Sequence, residues 1–322
     1  MKALMYLGPG ELAMRDVAEP SEGLVLQVVG CGLCGTDLKT WRSGHHLFPP
    51  PAVLGHEFYG RIVASPKGSA HRVGDLVAVA PYAECGECAT CARGAGELCK
   101  AKGYVEGGAF CERVGIPEAY ASKGLFPVSA EDDAYTLVEP LACVLNGVSK
   151  LGDLGASRVL VVGGGPMGAL FALHFVSTGV PATVVEPSGT RRARIASWGV
   201  EALEPGRARI GDYDKIVIAV NKAALFDEYI KGAADAAAVL MFSGLPKGEA
   251  VAVDSHSIHY REVSLVGSFG YALPHYRAAL AEIEADRAGY ARVITHVLPL
   301  EEGRAAFELA ASGEAFKIVL RP

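Results

Sequence analysis

The sequence predicts an α/β fold with two units, a β-rich unit and a doubly wound parallel sheet, and two patterns support this prediction. Over the first 150 residues, short apolar runs such as Leu24–Val29, Gly60–Ala64 and Asp75–Ala80 are separated by Gly, Pro and polar turns. From Arg158 onward, short apolar runs alternate with amphipathic stretches. That alternation is typical of βαβ units and a parallel sheet.

The alternating part predicts strands and helices in a definite order. The predicted strands are Val159–Val162, Ala182–Glu186, Lys215–Val220, Ala237–Ser243 and Glu262–Ser268. The predicted helices are Met167–Thr178, Thr190–Trp198, Lys222–Gly232 and Ala272–Ala288. Between Trp198 and Lys215 there is room for a short strand but hardly for a helix, so we expect this domain to be trimmed on that side. Strands return beyond about Tyr290. We therefore place the doubly wound domain at 151–288 and the β-rich domain at 1–150 and 289–322.

The composition favours a folded protein with well-formed cores. Half of the 322 residues are hydrophobic, a fifth are charged and the net charge is −6. No run of Lys or Arg marks a surface for nucleic acid or membrane, and no apolar stretch of about 18 residues predicts a spanning helix. The first residues also lack the apolar stretch of a signal peptide. We expect a soluble cytoplasmic protein.

Four cysteines within fifteen residues form the most specific motif. Cys85, Cys88, Cys91 and Cys99 have the spacing C-x2-C-x2-C-x7-C and lie among Gly and charged residues that cannot form a core. Four thiolates at such spacing can enclose a tetrahedral zinc ion. A pair of disulfides is the alternative, but thiols stay reduced in the cytoplasm. Because a closed four-sulfur site has no open position, we expect this zinc to be structural.

A glycine-rich segment predicts a dinucleotide site. Gly163, Gly165 and Gly168 follow a predicted strand and lead through Pro166 and Met167 into an apolar helix. In this context the first Gly allows the tight turn, the second lets the backbone approach a pyrophosphate, and the third lets helix and strand pack closely. The free N–H groups of the helix N-terminus favour phosphate. A glycine-rich turn without a ligand is the alternative.

The cofactor choice depends on the end of the next predicted strand. Glu186 lies 23 residues after Gly163, about the spacing expected for a carboxylate that holds the ribose hydroxyls. A carboxylate there repels a 2′-phosphate and favours NAD. Ser188, Arg191 and Arg192 follow closely and could accept the phosphate of NADP if Glu186 swung aside. NAD is the preferred cofactor, with Arg191 among the candidate binding residues.

A second metal site is indicated by residues from separate segments. Cys34 lies in Cys-Gly-Leu-Cys-Gly-Thr-Asp, His56 and Glu57 lie in Gly-His-Glu-Phe, and Glu139 lies in Val-Glu-Pro-Leu. Taken singly, each has a structural explanation: a buried Cys, a core His or a helix-capping Glu. Together they offer the mixed ligand set of a catalytic zinc with an open position.

In their order, these five motifs resemble the zinc-dependent medium-chain alcohol and polyol dehydrogenases over essentially the whole chain. The resemblance implies a GroES-like β-rich catalytic domain with a Rossmann-like coenzyme domain inserted before its last segment. It implies that Cys34 and His56 bind zinc, and that Glu139 stands where sorbitol- and glucose-type enzymes carry Glu. Glu57 matches an acidic residue that can move onto the metal, which leaves open whether Glu57 or Glu139 is the third ligand.

The resemblance also implies catalytic roles. Thr36, two residues after Cys34, would take the alcohol proton, and Asp37 would orient His56. Lys39 occupies the next relay position, where many relatives carry His, and a Lys there can still bind a ribose hydroxyl. Cys31 also forms a C-x2-C pair with Cys34, for which a disulfide is the less favoured explanation. A homodimer or homotetramer is expected.

The expected reaction is hydride transfer between a nicotinamide and a secondary alcohol, with a polyol, cyclitol or sugar derivative as substrate. The alternatives are an L-threonine or simple alcohol dehydrogenase, and a zinc-free quinone or enone reductase of the same superfamily. The latter lacks ligands like Cys34 and His56. An alternative of another class is a zinc-stabilised binding protein without turnover, against which the intact ligand set argues.

Overall fold

The computed structural model describes all 322 residues and divides them into two compact units. The first comprises Met1–Ala142 and Ala272–Pro322, and the second comprises Cys143–Tyr271. Each unit contains its own sheets and core. This agrees with the predicted combination of a β-rich unit and a doubly wound unit.

The first unit is β-rich because its apolar residues recur in short runs bounded by turns. Its strands up to the boundary are β1 Lys2–Gly8, β2 Glu11–Asp16, β3 Leu24–Gly32, β4 Ala52–Val53, β5 Glu57–Ala64, β6 Leu76–Val79, β7 Tyr82–Ala83, β8 Gly103–Tyr104, β9 Arg113–Ile116 and β10 Leu125–Pro127. Its helices in the same part are α1 Gly35–Ser43, α2 Ala89–Ala92 and α3 Glu118–Gly124. Helix α4, Val138–Lys150, contains the boundary between the units.

The second unit is a six-stranded sheet in which every neighbouring pair is parallel. Its strands are β11 Val159–Val162, β12 Ala182–Val185, β13 Glu201–Leu203, β14 Lys215–Ile218, β15 Ala238–Met241 and β16 Ser264–Gly267. Its helices are α5 Pro166–Thr178, α6 Gly189–Ala196, α7 Ala224–Gly232 and α8 Ser255–Tyr260. The order β13-β12-β11-β14-β15-β16 is the doubly wound order.

The trimmed crossover expected before Lys215 is confirmed. Between β13 and β14 the chain makes only a 3-10 turn, Ile210–Asp212, where a doubly wound sheet usually has a helix. Strand order reverses at β11, whose neighbours are β12 and β14. Ligands of such sheets bind at the carboxyl ends of the strands around that reversal, which is where Gly163 begins its turn.

The chain returns to the first unit through α9 Leu273–Ala285, α10 Arg287–Ala291, β17 Ile294–Pro299, α11 Gly303–Ser312 and β18 Lys317–Arg321. The sequence placed residues up to 288 in the doubly wound domain, whereas the structure places α9 in the first unit. Two contacts explain the difference. The Glu84 carboxylate accepts a hydrogen bond from the N–H of Leu273, and the Tyr135 hydroxyl donates to Glu284.

The largest sheet of the first unit brings the start and the end of the chain together. Its strand order is β10-β6-β5-β3-β18-β17, and β9 also pairs with β3. Strand β3 therefore lies between β5 and the last strand, antiparallel to both. This places Glu57, at the start of β5, and Lys317, at the start of β18, on the two neighbours of β3. No helix of the structure has the length and apolar character needed to cross a membrane.

Candidate metal centres and dinucleotide site

The four cysteines predicted to bind zinc converge in the structure. The Sγ–Sγ distances are 3.9 Å for Cys85–Cys91, 3.5 Å for Cys88–Cys91, 3.7 Å for Cys88–Cys99 and 3.5 Å for Cys85–Cys99. Sulfurs held 2.3 Å from a tetrahedral ion lie about 3.8 Å apart, so the four thiols fit one zinc ion. All eight cysteines of the chain are free, so neither the lobe nor Cys31 with Cys34 forms a disulfide here.

Backbone N–H groups point at the sulfurs of this lobe. The N–H of Cys88 donates to Cys85 Sγ at 3.4 Å, and the N–H of Ala101 donates to Cys99 Sγ at 3.3 Å. Hydrogen bonds of this kind stabilise thiolates, which are the metal-binding form of Cys. The lobe is therefore chemically suited to a closed four-sulfur site.

A second cluster forms around Cys34. The ligand atoms of Cys34, His56 and Glu57 all lie within 4.8 Å of one another. Cys34 is the N-cap of α1, and its sulfur accepts a hydrogen bond from the N–H of Thr36 at 3.5 Å. The Oε1 atom of Glu57 is buried and has no hydrogen-bond partner. The thiol of Cys34, the imidazole of His56 and the carboxylate of Glu57 are all ligand types that zinc accepts. A bound ion would also satisfy the unpaired Oε1 atom of Glu57.

Asp37 holds the segments of this cluster in register. Its carboxylate accepts from the N–H of Cys34 at 3.0 Å and from the N–H of Gly55 at 3.2 Å, and lies 3.5 Å from His56 Nδ1. Burial lowers the pKa of His56, but the charges of Asp37 and Cys34 outweigh it and raise the pKa well above the usual value. The contact of Asp37 with Nδ1 leaves Nε2 for a metal.

Glu139 lies outside the set of three but close to it. It is buried at the start of α4, and its pKa is raised to about 7. Burial is the main cause; the charges of Glu57 and Asp37 also raise this pKa, and the charge of His56 lowers it. The sequence left Glu57 and Glu139 open as the third ligand, and the structure brings Glu57 into the set.

Of the two predicted relay residues, Thr36 is half-buried in the first turn of α1, whereas Lys39 is exposed. Sequence reasoning missed Lys317. Its Nζ lies 2.5 Å from Glu57 Oε2, and both side chains are buried. The available signal was a single Lys within the apolar run Phe-Lys-Ile-Val-Leu at the end of the chain.

The glycine-rich turn has the form that a dinucleotide requires. Gly163 has φ +100°, which only Gly adopts readily, and a Cβ on Gly168 would lie 1.8 Å from the Gly163 carbonyl oxygen. A Cβ on Gly165 would have only Arg191 Nη1 near it, at 3.9 Å. Pro166 and Met167 then begin α5, whose first N–H groups follow directly. The open side of Gly165 is thus the space that a pyrophosphate needs.

Glu186 lies under this turn. Its Oε2 accepts from the N–H of Gly164 at 2.8 Å and its Oε1 accepts from the N–H of Ser188 at 2.9 Å. The guanidinium of Arg192 donates to the carbonyl oxygen of Glu186 at 2.8 Å and pairs with Glu204 at 2.5 Å. The carboxylate is therefore fixed beside the fingerprint, and Arg192 is held by groups of the protein while Arg191 lies beside Gly165.

Comparison with known proteins shows the family. The profile described as "Alcohol dehydrogenase GroES-like domain" matches residues 20–127. D-altritol 5-dehydrogenase of Agrobacterium fabrum is 31% identical over 94% of this chain and 94% of its own length. A sorbitol dehydrogenase of Halalkalibacterium halodurans is 28% identical over 100% of this chain and 99% of its own length.

A solved structure agrees. A protein from Sinorhizobium meliloti 1021, described as a zinc-binding dehydrogenase and solved bound to NADP, is 26% identical with a TM-score of 0.87, covering 100% of this chain and 99% of that chain. The chain belongs to the zinc-dependent medium-chain alcohol and polyol dehydrogenases. It is a nicotinamide-dependent oxidoreductase of the zinc type, which confirms the predicted family and the prediction of an enzyme.

Proposed function

We propose that this enzyme reversibly oxidises a secondary alcohol of a polyol, cyclitol or sugar derivative, with NAD as the hydride acceptor. The observation that carries the proposal is the convergence of Cys34, His56 and Glu57 within 4.8 Å in a chain that also carries a dinucleotide fingerprint. The substrate class is supported by two relatives whose names state that they act on altritol and sorbitol.

The proposal assigns two zinc ions. Cys85, Cys88, Cys91 and Cys99 would hold a structural ion, since their four sulfurs leave no open position. Cys34 and His56 would hold the catalytic ion. Glu57 and Glu139 offer the remaining oxygen ligands; Glu57 belongs to the set whose ligand atoms lie within 4.8 Å of one another, whereas Glu139 does not.

When bound, a zinc ion held by Cys34 and His56 would supply Lewis-acid chemistry that lowers the pKa of an alcohol, and the nicotinamide would supply the hydride acceptor. The residues of the chain prepare that step. Asp37 fixes the position of His56 through Nδ1 and of the Cys34 backbone through its N–H. The hydroxyl of Thr36 would accept the alcohol proton while it passes its own proton on towards solvent. The exposed Lys39 lies one helical turn further along α1, on the way to solvent.

A panel of substrates tests this function. Zinc-replete enzyme is assayed with NAD and NADP against polyols, inositols, glucose, L-threonine and simple secondary alcohols. We expect turnover of a polyol or cyclitol that Cys34→Ser abolishes. Cys31→Ala is the matched control, because Cys31 is a buried thiol of the same segment outside the metal set. Turnover that survives Cys34→Ser would refute the catalytic zinc, and turnover of threonine alone would refute the substrate class.

The preference for NAD rests on the charge of Glu186. A buried carboxylate beside the fingerprint repels a 2′-phosphate, and its contacts with Gly164 and Ser188 keep it there. Glu186→Ala is expected to weaken NAD binding and raise the relative affinity for NADP, which titration of both dinucleotides measures. Glu228→Gln is the control, since it removes one carboxylate from the exposed face of α7 in the same unit. Equal NAD and NADP affinities in the unaltered enzyme would refute the preference.

A further inference from the structure

The segment that joins Cys34 to His56 carries no acidic side chain after Asp37. Helix α1 begins directly after Cys34 and the chain returns through β4 to His56, so both ends of this segment are tied to the candidate metal set. Residues 38–55 contain no Asp or Glu, although the whole chain has 36 acidic residues against 30 Lys and Arg. The basic residues of the segment are Lys39, Arg42, His45 and His46. The segment is thus locally positive on an acidic protein.

The two histidines form an ordered pair after the end of α1. Their rings stack with centroids 4.7 Å apart, and the ring of Phe48 packs against His45 at 5.4 Å. His45 is half-buried, whereas His46 is exposed. The Nδ1 atom of His45 accepts a hydrogen bond from the N–H of Leu47 at 3.3 Å, so the proton of the neutral ring lies on Nε2. This leaves Nε2 as a hydrogen-bond donor.

The charges that act on His45 are both positive. Burial lowers the pKa of His45, and the charges of His46 and Lys39 lower it further. The three side chains therefore lie close enough to repel one another when charged. A bound anion would offset this repulsion, because it attracts each of the three. The cluster is thus suited to an anion by its geometry as well as by its charge.

Lys39 connects this cluster with the place where a hydroxyl would react. It lies three residues after Thr36 on α1, so the two side chains share one face of the helix, about 4.5 Å apart along its axis. His45 follows two residues after the end of the same helix. The helix therefore leads from the candidate metal set, at its N-terminus, to the basic cluster beyond its C-terminus.

We propose that the substrate is an anionic polyol, whose terminal phosphate or carboxylate binds His45, His46 and Lys39 while one of its hydroxyls reacts beside Thr36. Phosphate and carboxylate oxygens accept the charge-assisted hydrogen bonds that these side chains offer. The polyol chain would then extend along α1 between the two ends. The inference deepens the proposed function and rests on its catalytic site.

Substrates that differ in charge test the proposal. Pentitols and hexitols, their terminal phosphate monoesters and the corresponding sugar acids are compared by kcat/KM with the unaltered enzyme. We expect a phosphate monoester or a sugar acid to be used at least about tenfold better than the neutral polyol of the same configuration, because charge-assisted hydrogen bonds are strong. The better of the two identifies the anion. Equal values, or a preference for the neutral polyol, would overturn the proposal.

His45→Gln/His46→Gln tests the residues. The ratio of kcat/KM for the anionic substrate to that for the neutral one should fall by at least about tenfold. A loop that is merely damaged would lower both values and keep their ratio. Arg42→Gln is the matched control, since it removes a charge from the same segment, but its guanidinium donates to the carbonyl oxygen of Ala311 at 2.9 Å. Its ratio should equal that of the unaltered enzyme.

Two further measurements cover a double variant that does not fold. His46→Gln alone, at an exposed position, should lower the ratio in the same direction. In the unaltered enzyme, added salt should also lower the ratio, because it screens the charges. A ratio that neither the substitutions nor salt changes would refute the role of the cluster.

Failure of the proposed function would be distinct. If no polyol of any charge is turned over, the proposed function fails, and calorimetric titration with a polyol phosphate and a sugar acid tests the anion site by itself. Binding that His45→Gln/His46→Gln weakens at least about tenfold would support the site, and binding no tighter than that of the neutral polyol would overturn it. If Cys34→Ser abolishes turnover of neutral polyols and the anionic forms are not preferred, only the anion site fails.

Discussion

Alanine substitutions of two fingerprint glycines should separate folding from dinucleotide binding. In Gly168→Ala the new Cβ would lie 1.8 Å from the Gly163 carbonyl oxygen, a backbone atom that cannot move without opening the turn. Overpacking of this kind costs about 1–3 kcal/mol of unfolding free energy. In Gly165→Ala the nearest atom is Arg191 Nη1 at 3.9 Å, an ordinary van der Waals contact. Its unfolding free energy should stay within about 1 kcal/mol of the unaltered enzyme.

Dinucleotide affinity should fall in Gly165→Ala for a different reason, because there the new methyl group meets the ligand and not the protein. Gly165→Ala places a methyl group where the pyrophosphate would approach, so we expect NAD to bind at least about tenfold more weakly, which is 1.4 kcal/mol. Denaturant unfolding and fluorescence titration with NAD measure the two quantities on the same preparations. If Gly165→Ala binds NAD as the unaltered enzyme does, the pyrophosphate does not lie over Gly165 and the assignment of the turn is wrong. A Gly168→Ala variant of unchanged stability would refute the packing argument.

Three further predictions concern stability. Tyr213→Phe removes a buried 3.0 Å hydrogen bond to Thr183 and should lower the unfolding free energy by about 0.5–1.5 kcal/mol in denaturant titrations. Burial raises the pKa of Glu284, but hydrogen bonds, above all the bond from Tyr135, hold this pKa below 4.5 in the folded protein. The unaltered enzyme should therefore have a higher unfolding free energy than Glu284→Gln above pH 4.5, and this advantage should vanish as the pH falls through the pKa of Glu284 in the folded protein. Cys88→Ser should lose one zinc and thermal stability while NAD affinity is kept, which zinc analysis and NAD titration check; unchanged zinc content would contradict the four-sulfur site.

The fold of the second unit was largely predictable because its local signals agree with one another. The run Val159–Val162 is a strand with these limits in the structure, and the gap before Lys215 holds only a 3-10 turn. Helix α4 was not predicted, since its apolar residues lie in a part of the chain dominated by strand-like runs. The position of α9 was also not predictable, because it depends on contacts with Glu84 and Tyr135, far away along the chain.

The sequence predicts which residues could bind the catalytic metal, but not how their side chains are arranged in space. Motifs and the family resemblance singled out Cys34, His56, Glu57 and Glu139, yet nothing in the sequence ranks the two carboxylates. The structure ranks them through strand position. Glu57 begins β5 directly after His56, so its carboxylate enters the same space, whereas Glu139 comes from the start of α4 and stays outside the set of three.

Lys317 shows why the remainder required a structure. It lies 260 residues from Glu57 along the chain, and neither residue belongs to a motif that mentions the other. They meet because β18 and β5 flank β3, and because Gly32 on β3 leaves the space between them empty. A buried Lys in an apolar strand is costly without a partner, so its presence indicates an acidic residue nearby. Identifying that residue as Glu57, and hence connecting the last strand to the metal centre, depends on the strand order of the sheet.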